Sequence, residues 1–308
     1  MTLHERIYKA QCYGNVEPIE HMVPYPNIPA LVEGETVKFA DRMLFPESGL
    51  TNGQFRSKVN QTAHWLDEKG IGPLDRIHLK PFPFPYTQIL AYAIWSVGGS
   101  LVMASDEIPN ASLRKCNIKE TLSPYNLDIA DEIQRHSTDF TPRVKPLLAE
   151  EACIIAMDDR QIQLSHYQCL INVNGIMRGM EIDDSLSYYS ELEPATLPWL
   201  LFETLLPFFT GAIFSDKSPD IVINNSNSTG EVSYILTSDW KSSFADNECF
   251  VIPEAGGVLM IGNRPIHLMN VHSSNKALSL NGHGVMMGYL DETLNRKSFI
   301  DDKLVISL

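Results

Sequence analysis

The chain has 308 residues, 44% hydrophobic and 20% charged, the composition of a soluble globular protein with room for one large domain or two ordinary ones. Its formal charge of -14 and the lack of any basic run argue against binding to a nucleic-acid backbone, which needs clustered positive charge. The five cysteines Cys12, Cys116, Cys153, Cys169 and Cys249 contain no C-x-x-C pair and suggest reduced thiols, not a disulfide framework or a zinc site.

His4, Glu5 and Arg6 precede any apolar run, so the start does not read as a signal peptide. Residues 1–30, with Pro18, Pro24, Pro26 and Pro29, are expected to form an irregular lead-in. Thr36 to Phe39 and Met43 to Phe45 suggest a short hairpin. Thr51 and Gln54 have capping-box spacing ahead of the stripe Phe55, Val59, Ala63 and Leu66, with Gly70 as the stop. Strand 76–79, a helix through Ile89, Leu90, Ala93, Ile94 and Val97, and strand 100–104 then imply a parallel pair with a right-handed crossover. The rhythm returns as strand 152–156, helix 166–180 capped by Ser165, strand 186–190, helix 196–209, and strands 211–215 and 220–224. The most apolar stretch, Leu197 to Phe214, is broken by Pro198, Glu203 and Pro207 and reads as core, not a membrane span.

After residue 230 the pattern changes to short strands, Val232 to Leu236, Val258 to Ile261, Ile266 to Val271, Ala277 to Leu280 and Val285 to Leu290, joined by Gly- and Asn-rich turns. The expected organisation is a lead-in at 1–30, an α/β body at 31–228 with a mostly parallel sheet flanked by helices, and a small β-rich subdomain at 229–308.

Several segments, in order, resemble the adenylate-forming enzymes (acyl-CoA synthetases and AMP-dependent ligases). Thr51 to Ala104, with its Gly-x-Gly-Pro-x-Asp-Arg run at Gly70 to Arg76, resembles that family's opening unit. Leu164-Ser165-His166 resembles the start of the helix after its phosphate loop. Leu205 to Ala212 resembles the segment ending in Gly-Ala, and Gly284 to Leu290 a Gly-x-x-Val-Met-x-Gly-Tyr signature. The resemblance implies a shortened N-terminal domain of that family.

The departures fall on the ATP chemistry that the family implies. Its Ser-, Thr- and Gly-rich phosphate loop is replaced by Met157-Asp158-Asp159-Arg160-Gln161, which has no glycine to turn backbone N–H groups inward and places two carboxylates where phosphates would lie. Thr229 and Glu231 stand as a vestige of the Tyr-Gly-x-Thr-Glu motif whose Glu helps to hold magnesium. Asp301 or Asp302 stands where the ribose-binding Asp would be. The mobile C-terminal domain with the family's catalytic lysine is expected to be absent.

Other groups weigh less. Ser165 reads as a helix cap, not as a nucleophile beside His166. His267, His272 and His283 match no metal-ligand spacing. The run Pro81 to Tyr86 reads as a stiff cover over the core in preference to a partner-binding ridge. The resulting expectation is a non-catalytic, cytoplasmic relative of acyl-activating ligases, with no catalytic residue, metal or cofactor. Its partner would be an acyl-activating enzyme, an acyl carrier protein or a second copy. An ATP- and magnesium-dependent acid ligase working with a separate chain is the alternative. A third reading is a protein that binds carboxylic acids without activating them.

Overall fold

In the computed structural model, which describes all residues except Met22, Asp106, Asn126, 225–231 and Asn275, the periodic segments become three sheets with helices between them. The helices are α1 (Leu3–Ala10), α2 (Pro29–Phe39), α3 (Asn52–Glu68), α4 (Tyr86–Ser96), α5 (Asn110–Lys115), α6 (Ile129–Ile133), α7 (His166–Met180), α8 (Leu197–Trp199), α9 (Leu206–Thr210) and α10 (Glu292–Ser298). A π-helical turn, Leu200–Leu205, joins α8 to α9.

The first sheet contains β1 (Arg76–Leu79), β2 (Ser100–Met103), β3 (Glu120–Leu122), β4 (Glu151–Ala156) and β5 (Gln161–Ser165). The second contains β6 (Ser187–Ser190), β7 (Ile213–Phe214), β8 (Ile221–Asn224), β9 (Val232–Thr237), β10 (Glu248–Ile252), β11 (Gly257–Ile261) and β12 (Arg264–Pro265). The third contains β13 (Met269–Ser273) and β14 (Ala277–Gly282), while β15 (Gly288–Tyr289) returns to the first. Strands β16 (Phe299–Ile300) and β17 (Lys303–Ser307) complete the third.

Their orders are β15-β5-β4-β2-β1-β3, β12-β11-β10-β9-β8-β6-β7 and β13-β14-β17-β16. The pairs β1–β2, β1–β3 and β2–β4 are parallel, as are β6–β7, β6–β8, β8–β9 and β9–β10. The expected strand–helix–strand unit at 76–104 is present, and α4 is buried on nearly every side because it packs between α3 and α2 and the strands β1 and β2. Tyr92 donates to the carbonyl of Thr204 at 2.9 Å and Trp95 to that of Ala152 at 2.9 Å, so its two large polar-tipped rings reach the helical 197–210 segment and β4. A mixed α/β fold with parallel-rich sheets and a small antiparallel sheet is what the sequence pattern implied. The second sheet runs across residue 229, and the purely antiparallel unit begins at Met269.

Some local expectations do not hold. The lead-in begins with α1, whose Thr2–Glu5 capping box the proline count overshadowed. Residues 36–39 are the last turn of α2, not a hairpin arm. Pro29 opens that helix at its first turn, and Leu31, Val32 and Glu35 are buried while Val37 is 78% exposed, a helical and not a strand period. Residues 43–45 contribute only a bridge between Phe45 and Leu50. The stretch 285–290 shortens to β15, and α10, β16 and β17 follow it. Phe82 is buried and Phe84 stands edge-on to Phe45 at 5.6 Å, so this aromatic run covers the core. Among the described residues, no helix is long and apolar enough to cross a membrane.

Candidate functional site

Strand β4 is buried from Ala152 onward because it lies between parallel β2 and antiparallel β5. An antiparallel return needs only a tight turn, whereas a parallel one needs a crossover. The residues 157–160 make that turn. Met157 N–H donates to the Arg160 carbonyl at 2.8 Å, and the Asp158 carbonyl accepts from Ser112 Oγ at 2.7 Å. Asp158 and Asp159 are exposed. At the other end of the hairpin, Arg76 grips Glu151 through Nε and Nη2 at 2.9 and 2.8 Å. Gln163 of β5 donates to the same carboxylate at 2.6 Å, which fixes the register. Strand β5 ends at Ser165, which exchanges a capping box with Gln168 and starts α7.

The functional feature of this hairpin is Arg160. Its Nε donates to Glu254 Oε1 at 2.8 Å, and its Nη1 meets both oxygens of Asp159 at 3.1 and 3.0 Å. Glu254 sits on a 3-10 turn (Pro253–Ala255) and its side chain has no exposure, while that of Arg160 is 28% exposed. Tyr289 donates to Glu254 Oε1 at 3.2 Å. Pairing of β15 with β5 brings this tyrosine in, and Asn295 clasps its backbone at 2.7 and 2.8 Å. Burial, reinforced by the Glu254 charge, raises the Tyr289 phenol well above its usual range, so it remains a donor. Glu254 Oε2 is buried without a hydrogen-bond partner among the described residues.

Asn172 of α7 holds the 3-10 turn against the helix by donating to Ala255 O at 3.3 Å and Val258 O at 2.8 Å and accepting from Val258 N at 3.2 Å. Gly257, at φ +133°, lets the chain pass there: a Cβ would lie 2.2 Å from Leu201 Cδ1 and 3.1 Å from Asn172 Oδ1. The site is therefore a guanidinium from a hairpin turn pressed onto a buried carboxylate behind it. Arg160 bridges two carboxylates, those of Asp159 and Glu254.

Of the residues marked in the sequence for nucleotide chemistry, Asp301 and Asp302 fall among the described ones. Thr229 and Glu231 lie outside the described residues. Asp301, with φ +54°, is an exposed residue of the two-residue turn joining β16 to β17, where Ile300 pairs with Lys303. Left-handed geometry is what such a turn asks of Asp or Asn. Among the described residues, no hydrogen bond or ion pair joins Asp301 to Arg160, Glu254 or Tyr289.

Ser165 Oγ accepts from Gln168 N at 3.2 Å, and His166 is buried with Nδ1 accepting from Ile28 N at 3.4 Å. Burial pushes that imidazole down to about 3, so the two residues form no nucleophile–base pair. His272 is exposed, whereas His267 and His283 converge on His21. No group of three His, Cys, Asp or Glu residues among those described is arranged to hold a metal ion. Glu254 and its pairing with Arg160 escaped the sequence reading. The only signal was an acid inside the apolar run from Phe250 to Met260, beside the Gly256-Gly257 turn.

No protein-family profile and no curated protein matches the sequence. Solved structures do match its fold. The anthranilate CoA ligase AuaEII in complex with anthranoyl-AMP superposes with a TM-score of 0.76 at 12% identity, over 92% of this chain and 74% of that one. The N-terminal domain of FACL13 from Mycobacterium tuberculosis, in an inhibitor-bound crystal, gives 0.74 at 10%, over 91% and 95%. An artificially fused adenylation–PCP di-domain, NpsA-ThdA from Klebsiella oxytoca, gives 0.72 at 12%, over 93% and 69%. The fold is that of the N-terminal domain of adenylate-forming enzymes, as the resemblance in the sequence implied.

Proposed function

We propose that this chain is a non-catalytic relative of the AMP-dependent acyl-activating ligases, working in the cytoplasm as an accessory subunit beside an acyl-activating enzyme or a carrier protein. The observation that carries this reading is the Arg160–Glu254 pair at the β4–β5 turn. A loop that cradles phosphates presents several unpaired backbone N–H groups and a positive field. This turn spends the Met157 N–H on its own closure and gives its one cation to carboxylates. A triphosphate would meet a net negative turn, at roughly 1 to 4 kcal/mol for each like-charge contact. The described residues of this turn offer ATP with magnesium a poor fit, which supports the reading. Glu254 Oε1 already accepts from a guanidinium and a phenol, and no second acid joins Glu254 among the described residues.

Support for a carrier or ligase partner is the shared fold, one example of which is an adenylation–PCP fusion. The test is pyrophosphate release by the pure protein with ATP, magnesium and a panel of aliphatic and aromatic acids, together with thermal shift. The expected results are no acid-dependent release and no shift. A ligand at a hundred times its dissociation constant adds about 2.7 kcal/mol, so binding would be visible. Acid-dependent release would overturn the reading in favour of a ligase. A shift with acid alone would replace it with a binder of carboxylic acids.

A further inference from the structure

A second polar cluster lies away from Arg160, where the segment after α1 crosses the molecule as a strap of residues 11–21. Gln11 Nε2 donates to Met286 O at 2.8 Å, and Asn281 Nδ2 donates to Cys12 O at 3.3 Å. His283 Nε2 meets Val16 O at 3.3 Å, and Tyr167 Oη meets His21 O at 3.3 Å. Three histidine rings gather under the strap's end. His21 stands edge-on to His267 with centroids 5.3 Å apart and to His283 at 6.4 Å. His283 is buried, with its Nδ1 2.7 Å from Tyr167 Oη, and His267 Nε2 is buried without a partner among the described residues. A cavity of about 270 Å³ adjoins the cluster, with Pro18 and Ile19 of the strap and Ile7 of α1 on one side and Tyr167, Gln168 and His283 on the other.

We propose that this strap is a proton-operated latch, closed over the cavity while His267 and His283 are neutral and released when they take up protons in mildly acidic solution. In neutral His283, Nε2–H donates to Val16 O and Nδ1 accepts from Tyr167, whose one O–H is then not given to His21 O. Two imidazolium ions within this cluster repel one another. Arg178 of α7 adds a further cation against His267. Val16 O and the exposed Glu20, both on the strap, favour the charged form of His283 and leave with it; Glu181 and Asp246 line the cavity beside His267 and stay; His4 and Tyr8 of α1 and Tyr167 of α7 bring no negative charge at neutral pH. Burial holds His267 and His283 below the ordinary histidine value, reinforced at His267 by Arg178 and opposed at His283 by the Val16 carbonyl. A histidine lowered in the closed state and ordinary in the open one loses its closing contribution as pH falls below about 6.5.

The test is amide hydrogen exchange of residues 11–21 in the full chain, corrected for intrinsic rates, between about pH 7.5 and about pH 5. Exposure of the strap is expected to rise by up to about tenfold per pH unit for each proton taken up, while α3 stays protected. In the double variant His267→Phe, His283→Gln, which keeps the ring contact and an amide donor, the pH response is expected to shrink to a small fraction. A variant His21→Phe serves as the second reading if the buried double variant does not fold. An unchanged strap in the wild-type chain, an equal response in the folded variants, or a parallel loss of protection in α3 would each overturn the latch.

Discussion

Two buried carboxylates show how differently one group behaves in two parts of the same molecule. Glu254 is fully buried and meets a guanidinium and a phenol, supplied by the β4–β5 turn and strand β15 of the neighbouring sheet. Glu203, on the π-helical turn, is nearly as buried but receives only Ser190 Oγ and Leu192 N, each at 2.9 Å. Burial without a cation pushes Glu203 up to about 7, although those hydrogen bonds favour its charged form. The contrast teaches that burial alone does not decide what a carboxyl contributes. The charge delivered to it by another element does, and at Glu254 that delivery is also what closes the site.

Removing Arg160 is the strongest way to break the contrast. Arg160→Ala strips the cation from a carboxylate that cannot reach water, and the expected loss is about 3 kcal/mol in urea unfolding at pH 7.5. The double variant Arg160→Met, Glu254→Leu is expected to recover most of it, because apolar groups of similar volume replace buried ion pairs at little cost. A loss below about 0.5 kcal/mol for the single variant would mean that the pair does not close the site.

Glu203→Gln sharpens the other half. Raised above its unfolded value of 4.5, this carboxyl contributes fully below about pH 4.5 and loses that contribution as pH rises through about 7. The variant's stability relative to the wild type is therefore expected to climb over that window by about 3 kcal/mol, measured as a difference of unfolding free energies at several pH values. A flat difference would place Glu203 in the charged state throughout. The exposed Asp301 supplies the low end of the scale. Asp301→Gly, at φ +54°, is expected to be neutral or stabilising by about 0.5 kcal/mol, read from the same unfolding curves.

Much of the local architecture was legible. The capping boxes at Thr51 and Ser165, the strand–helix–strand unit at 76–104 and buried β4 follow from side-chain periods and caps that act within one turn or one pleat. Glycine-free Met157 to Gln161 announced that the β4–β5 connection was unusual. It did not announce that Gln161 to Ser165 would pair back as a strand, since that depends on the free edge of β4. The helix at α2 was misread because four alternating residues at its end outweighed the proline at its start. The histidine cluster was half legible: His267 and His283 drew notice, but the third member is His21 of the lead-in and not neighbouring His272.

The sequence by itself determined where helices begin, which strands are buried and that the turn at 157–161 carries acids without glycine. Local sterics and hydrogen bonding settle these within a few residues. Only the tertiary structure decided that Arg160 would face a carboxylate 94 residues away, and that three histidines from distant segments would share one space. Charge pairing at such separation is set by the paths of whole strands, and no periodic signal in the chain records it.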